Sequence, residues 1–164
     1  MNFVSIIMGS KSDYEIMKNC ADTFEKFNVK YEMIISSAHR SPARTKDYVK
    51  SAEEKGAVAF IAAAGMAAHL AGALAATTTK PVIGVPMKGG AMDGMDAMLS
   101  TVQMPAGMPV GTVALGRSGA INAAYFAMQI LAISDKELAV KLKEDRLVQA
   151  KKVETDSASI EVIL

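Results

Sequence analysis

The chain has two histidines, His39 and His69, and each stands where an apolar run gives way to a helical pattern. His39 is followed directly by Arg40 in the stretch Ser36-Ser37-Ala38-His39-Arg40-Ser41-Pro42. An unperturbed imidazole titrates at about pH 6.5, so it can give or take a proton at neutral pH. A guanidinium can clamp a phosphate through two parallel hydrogen bonds. Taken alone, the pair reads equally as an anion-plus-proton site or as a surface pair without a role. The stretch Met8-Gly9-Ser10-Lys11-Ser12-Asp13 sets a glycine turn, two hydroxyls and a carboxylate ahead of a helix. Free N–H groups at a helix start form an anion cradle, although Ser and Asp are also ordinary helix caps. Asp13 can cap the helix or accept from a sugar hydroxyl.

Two further stretches offer less side-chain chemistry. Gly65-Met66-Ala67-Ala68-His69-Leu70-Ala71-Gly72 presents mainly backbone, so a ligand can come close to the peptide groups; His69 by itself reads as a hydrogen-bonded structural histidine. The segment from Pro86 to Pro109 carries Met87, Met92, Met95, Met98, Met104 and Met108, which reads as adaptable packing, a pocket wall or a subunit contact. Zinc spacing is absent, because the two histidines are separated and the one cysteine, Cys20, falls within a helical pattern as an inert buried thiol. The glycine spacing fits neither a Walker loop nor a dinucleotide fingerprint, and no Gly-x-Ser-x-Gly elbow is present.

Short apolar runs alternate with helical patterns, as in repeated βα units. Strands are expected at Phe3–Met8, Lys30–Ser36, Val58–Ala63, Pro81–Val85 and Val110–Leu115. Helices are expected near Asp13–Phe27, from Pro42 to about Lys55, at Ala67–Thr77, near Asp93–Val102, at Ser118–Ala132 and from Ser134 to about Val153. This is an α/β fold: a three-layer α/β/α sandwich on a five-stranded parallel sheet, flavodoxin-like. Ligands of such sheets bind beyond the carboxyl ends of the strands, where both histidines fall. Residues 1–154 are expected to form a single domain. Residues 155–164 form a tail whose alternating Ile160, Val162 and Leu164 should pack on this subunit or a neighbour.

Composition narrows the partners. A formal net charge of +1 provides no field to gather nucleic acid or anionic lipid, and aromatics at 5% are too few for a base-stacking platform. The uncharged run from Ala57 to Thr79 is long enough to raise a membrane span. Its alanines and interrupting Gly65, His69 and Gly72 read better as a buried strand, a loop and a packed helix. With no basic leader in MNFVSIIMGS, a cytoplasmic enzyme is expected. The hydrophobic share of 51% leaves apolar surface for subunit contact.

Gly9-Ser10-Lys11-Ser12-Asp13, Ser37-Ala38-His39-Arg40-Ser41-Pro42, Ala67-Ala68-His69-Leu70 and Gln103-Met104-Pro105, in this order, resemble the motifs of the N5-carboxyaminoimidazole ribonucleotide mutase family. Pro81-Val82-Ile83-Gly84-Val85-Pro86 and Pro109-Val110-Gly111-Thr112 add to the likeness, which covers the chain from about Val4 to Glu137. The His-Arg-Ser-Pro run and the Ala-Ala-His-Leu loop look like class I, which rearranges the N5-carboxylated substrate. Class II carboxylates aminoimidazole ribonucleotide directly with carbon dioxide. Met66 and Ala71 depart from the usual glycine and proline.

The resemblance implies that Ser10, Ser12 and Arg40 hold the substrate phosphate and that Asp13 meets the ribose. It implies His39 as the catalytic acid/base, with Gly65, Ala67, Ala68, His69 and Leu70 around the carboxylate and imidazole, and Ser37 among the substrate-binding residues. It also implies a homo-octamer whose subunits complete each other's sites, and a place in purine biosynthesis. The implied chemistry is decarboxylation and recarboxylation in a closed, dry pocket, with no metal, ATP or other cofactor. Three other readings stand beside it. One is direct carboxylation, another a flavin-binding electron carrier, for which sandwiching aromatics are scarce. The last is a receiver domain, for which Asp13 alone supplies too few acidic residues.

Overall fold

The computed structural model describes residues 2–160, and the chain divides into two compact units, Met1–Ala127 and Met128–Leu164. In the first, the order is β1 (Phe3–Met8), α1 (Tyr14–Phe27), β2 (Tyr31–Ile35), α2 (Pro42–Lys55), β3 (Ala57–Gly65), α3 (Leu70–Ala75), β4 (Val82–Met87), α4 (Met95–Val102) and β5 (Gly111–Thr112). A single 3-10 turn, Lys11–Asp13, precedes α1, and α5 (Gly116–Leu131) begins in this unit and ends in the next. All strand pairs are parallel, in the order β2-β1-β3-β4-β5. Together with helices on both faces, this is the flavodoxin-like arrangement expected from the alternating pattern.

Strand periodicity sorts the side chains to the two faces. The register Ser5↔Phe60↔Val82 and Ile7↔Ala62 puts one set on the face covered by α2 and α3. There Val49, Ala52, Leu70 and Leu74 join Ile7, Phe60 and Val82 in a continuous core, and Ser5 is bonded to the Tyr48 hydroxyl at 2.8 Å. On the other face, α1 buries Met17, Cys20, Phe24 and Phe27, a stripe at helical spacing. Phe27 meets Tyr125 of α5 edge-on at 5.7 Å. Burial pushes the Cys20 thiol up, away from the reactive thiolate.

Two expectations are corrected. α3 is shorter than Ala67–Thr77, because Met66 takes a left-handed turn at φ 55 and residues 67–69 remain irregular. β5 is only Gly111–Thr112, since the chain turns at Gly116 with φ 65 straight into α5. A side chain on Gly119 would collide with the Ala114 carbonyl, so the chain leaving β5 lies against the first turn of α5. The uncharged run from Ala57 becomes β3, a loop and α3, and among the described residues no helix is long and apolar enough to cross a membrane.

The second unit carries the end of α5 and the long helix α6 (Lys136–Ser159). Asp135 caps it by accepting from the Leu138 N–H at 3.0 Å, the expected first-turn signal. α6 continues past Val153 through the residues expected to start a tail. No Gly or Pro stops it, and Thr155 and Ser159 donate their hydroxyls back to the carbonyls of Lys151 and Asp156. Val140, Leu147, Val148, Val153 and Ile160 are exposed. Val162 and Leu164 lie outside the described residues.

Candidate functional site

The carboxyl ends of β1, β2, β3 and β4 border one cleft of about 550 Å³ in the first unit. Its β1 wall begins at Gly9, whose N–H donates to the Ala63 carbonyl at 2.9 Å. The chain then forms a capping box: Ser10 N–H donates to Asp13 Oδ2 at 3.1 Å, and the Ser10 hydroxyl oxygen accepts from backbone in return. Ser12 donates its own hydroxyl to Ser10 Oγ at 3.0 Å. Asp13 is buried; desolvation pushes its carboxyl up, and the Ser10 N–H partly offsets this.

The β2 wall is a tight turn stapled by serines. Ser41 donates its hydroxyl to the Ser37 carbonyl at 3.0 Å and accepts from the Ser37 N–H at 3.3 Å. The Ser37 hydroxyl accepts from the Arg40 N–H at 3.1 Å and from Arg40 Nε at 3.4 Å. Arg40 Nη2 donates to the Gly9 carbonyl at 3.1 Å, tying this loop to the β1 loop. Two of a guanidinium's five donors are thereby used, which fixes its direction and leaves three for an anion.

The irregular residues 67–69 carry His69 over the cleft. His39 Nε2 and His69 Nδ1 are 2.8 Å apart, with the rings edge-on at 88°. One ring must donate and the other accept. Two doubly protonated rings would set N–H against N–H, so the bonded pair holds at most one extra proton. The structural partner of His69 is therefore His39 itself.

All the expected site residues line this cleft except Ala68, which is buried beneath it. Gly9, Ala38, Ala64, Met66, Met87, Lys88, Gly89 and Gly90 line it as well. Lys88 is not among the expected residues, because the methionines dominate its segment; its signal in the sequence is a lone cation at a strand's carboxyl end, followed by two glycines. The cleft differs from the closed pocket expected, since His39, Arg40, His69 and Lys88 are all exposed in the single chain. Among the described residues no group of three metal-binding side chains converges.

The family model described as AIR carboxylase matches residues 3–152. The N5-carboxyaminoimidazole ribonucleotide mutase of Bacillus subtilis is 52% identical over 143 residues, covering 87% of this chain and 88% of that protein. The protein of the same name from Escherichia coli K12 is 49% identical over 150 residues, covering 92% and 89%. The crystal structure of Treponema denticola PurE superposes with a TM-score of 0.89 at 26% identity, covering 99% of this chain and 100% of that one. The chain belongs to the AIR carboxylase family.

Proposed function

We propose that this protein is an isomerase of de novo purine biosynthesis that interconverts N5-carboxyaminoimidazole ribonucleotide and 4-carboxyaminoimidazole ribonucleotide. The observation that carries the reading is the His39–His69 pair, set between a stapled Arg40–serine wall and a β3 loop bare of other functional side chains. The mutase relatives at about half identity support it.

In this mechanism Ser10, Ser12 and Arg40 hold the phosphate, and Asp13 accepts from the ribose. The N–C bond of the carbamate breaks to give carbon dioxide and aminoimidazole ribonucleotide, and His39 protonates the departing nitrogen. The electron-rich ring carbon attacks the carbon dioxide retained beside it. His39 then takes the proton from that carbon, so one proton moves from carbon to nitrogen and none is consumed. His39 reaches the substrate through Nδ1 or by exchanging its bond to His69; His69, bonded to it, fixes the ring's orientation and tautomer. Confinement supplies proximity, and no metal, ATP or other cofactor enters the proton balance.

Retaining carbon dioxide requires a cover that the open cleft lacks. Neighbouring subunits of a homo-octamer would provide it. Exposed Met95, Leu99 and Val102 form one stripe on α4, a face suited to subunit contact. The chain acts in the cytoplasm on this reading. The assay that tests the function offers N5-carboxyaminoimidazole ribonucleotide and, separately, aminoimidazole ribonucleotide with bicarbonate, without ATP. Rapid product from the first alone is expected. Rapid product from the second alone would place the protein with the direct carboxylases.

A further inference from the structure

The β4 side of the cleft holds a cation that the mechanism above leaves unused. Lys88 is the first residue beyond β4 and lines the cleft. Its ammonium lies 3.8 Å from Asp93 Oδ2, an ion pair exposed on both sides. The backbone beneath it is closely held: Gly94, at φ 93, brings the returning loop against Lys88 so that a Cβ there would stand 3.2 Å from the Lys88 Cα. Gly89 and Gly90 follow at φ 149 and 68; Gly89 has open space where a side chain would be, and Gly90 faces the Met66 side chain. The result is a closely held Cα bearing a long, solvated side chain at the rim of the cleft.

Charge placement then gives the cleft two poles. Arg40 is fastened to the carboxyl end of β1 through Gly9, and Lys88 sits at the carboxyl end of β4. β3 lies between those strands, so the two anchor points are two strand spacings apart, roughly 10 Å. Among the described residues, the only cleft-lining carboxylate, Asp13, is at the Arg40 end. A phosphoribosyl imidazole carrying a ring carboxylate is a ligand with anions at opposite ends. With the phosphate at Arg40, its carboxylate lies toward β3 and β4.

We propose that Lys88 is a carboxylate-recognition residue, leaving Asp93 to pair with the carboxylate of the bound nucleotide, so that the site distinguishes carboxylated from decarboxylated nucleotide. The proposal rests on the mutase reading, but its test reads binding and is independent of turnover. Affinities of wild type, Lys88→Met and Lys88→Arg are measured by calorimetry for 4-carboxyaminoimidazole ribonucleotide and for aminoimidazole ribonucleotide, which share phosphate and ribose and differ in the carboxylate. Lys88→Met is expected to weaken the carboxylated ligand about tenfold, the scale of one hydrogen bond to a charged group. Its affinity for the decarboxylated ligand should stay within about twofold of wild type, and Lys88→Arg should keep most of the discrimination. Equal losses for both ligands, or no loss for either, would overturn the assignment. Failure of the wild type to turn over the N5-carboxylated nucleotide would instead sink the functional reading, while the ratio of affinities would still report on Lys88.

Discussion

The two ends of the cleft are built in opposite ways. On the β1 and β2 side, side chains bond to one another and to backbone: Ser10 with Asp13, Ser12 with Ser10, Ser37 with Arg40 and Arg40 with Gly9. On the β3 and β4 side the lining is alanine, glycine, methionine and Leu70, with His69 and Lys88 as the polar exceptions. Backbone at positive φ gathers there too, at Met66, Gly89, Gly90, Asp93 and Gly94. A fixed network costs little reorganisation when it receives a constant group such as a phosphate. A wall of small residues and peptide groups admits a ring whose substituents change during turnover. In the proposed mechanism this difference separates holding from chemistry, with the histidine pair at the seam.

Breaking the seam should have the largest effect. His39→Asn is expected to lose about 10²–10⁴-fold in turnover, the usual contribution of a positioned acid–base group, while still binding substrate. Near-normal turnover would remove His39 from the chemistry. Next comes the holding end: Arg40→Ala should raise KM by about 10- to 100-fold, the scale of a hydrogen bond to a charged group, with a smaller change in kcat. An unchanged KM would show that the phosphate is held elsewhere.

The bare end is sensitive in its backbone. Gly94→Ala forces a Cβ at φ 93 against Leu115 and the Lys88 backbone, and should destabilise the fold by about 1–3 kcal/mol, read as a lower denaturation midpoint. Met66→Gly works the other way. Releasing a methionine from φ 55 relieves about 1–2 kcal/mol of strain, part of which glycine's greater unfolded-state freedom cancels. A rise in Tm of about 1–3 °C is expected, and a fall would mean that packing of the Met66 side chain outweighs the strain.

The smallest effect concerns pH. Burial raises the Asp13 carboxyl above its unfolded value. Its contribution to stability is therefore fully present below the unfolded pKa and lost as pH rises through the folded one. Asp13→Asn keeps an oxygen to accept from Ser10 but does not titrate. The variant should gain on wild type as pH rises from strongly acid through the raised carboxyl value; a pH-independent difference would contradict the burial account.

Much of this was legible in the chain. Alternating apolar runs and helical stripes specify the βα order, and the rule that ligands sit beyond strand ends brings the loops of His39 and His69 together. The hydrogen bond between them was not legible, because it depends on Met66 adopting a left-handed turn that delays α3. Local alanine content pointed instead to an earlier helix start. Lys88 was hidden by its methionine-rich surroundings, and only the register of β4 beside β3 places it opposite Arg40. The continuation of α6 is not legible from polarity, because the polar residues after Val153 resemble a tail although none of them breaks a helix.

In the proposed mechanism the carboxylate leaves nitrogen and reaches carbon without escaping. The most direct measurement supplies the N5-nucleotide with a ¹³C-labelled carboxylate to the wild-type protein in unlabelled bicarbonate buffer, and follows the label into 4-carboxyaminoimidazole ribonucleotide. Retention of the label in nearly all early product is predicted. Product carrying carbon from the buffer at the same early times would contradict transfer within the site.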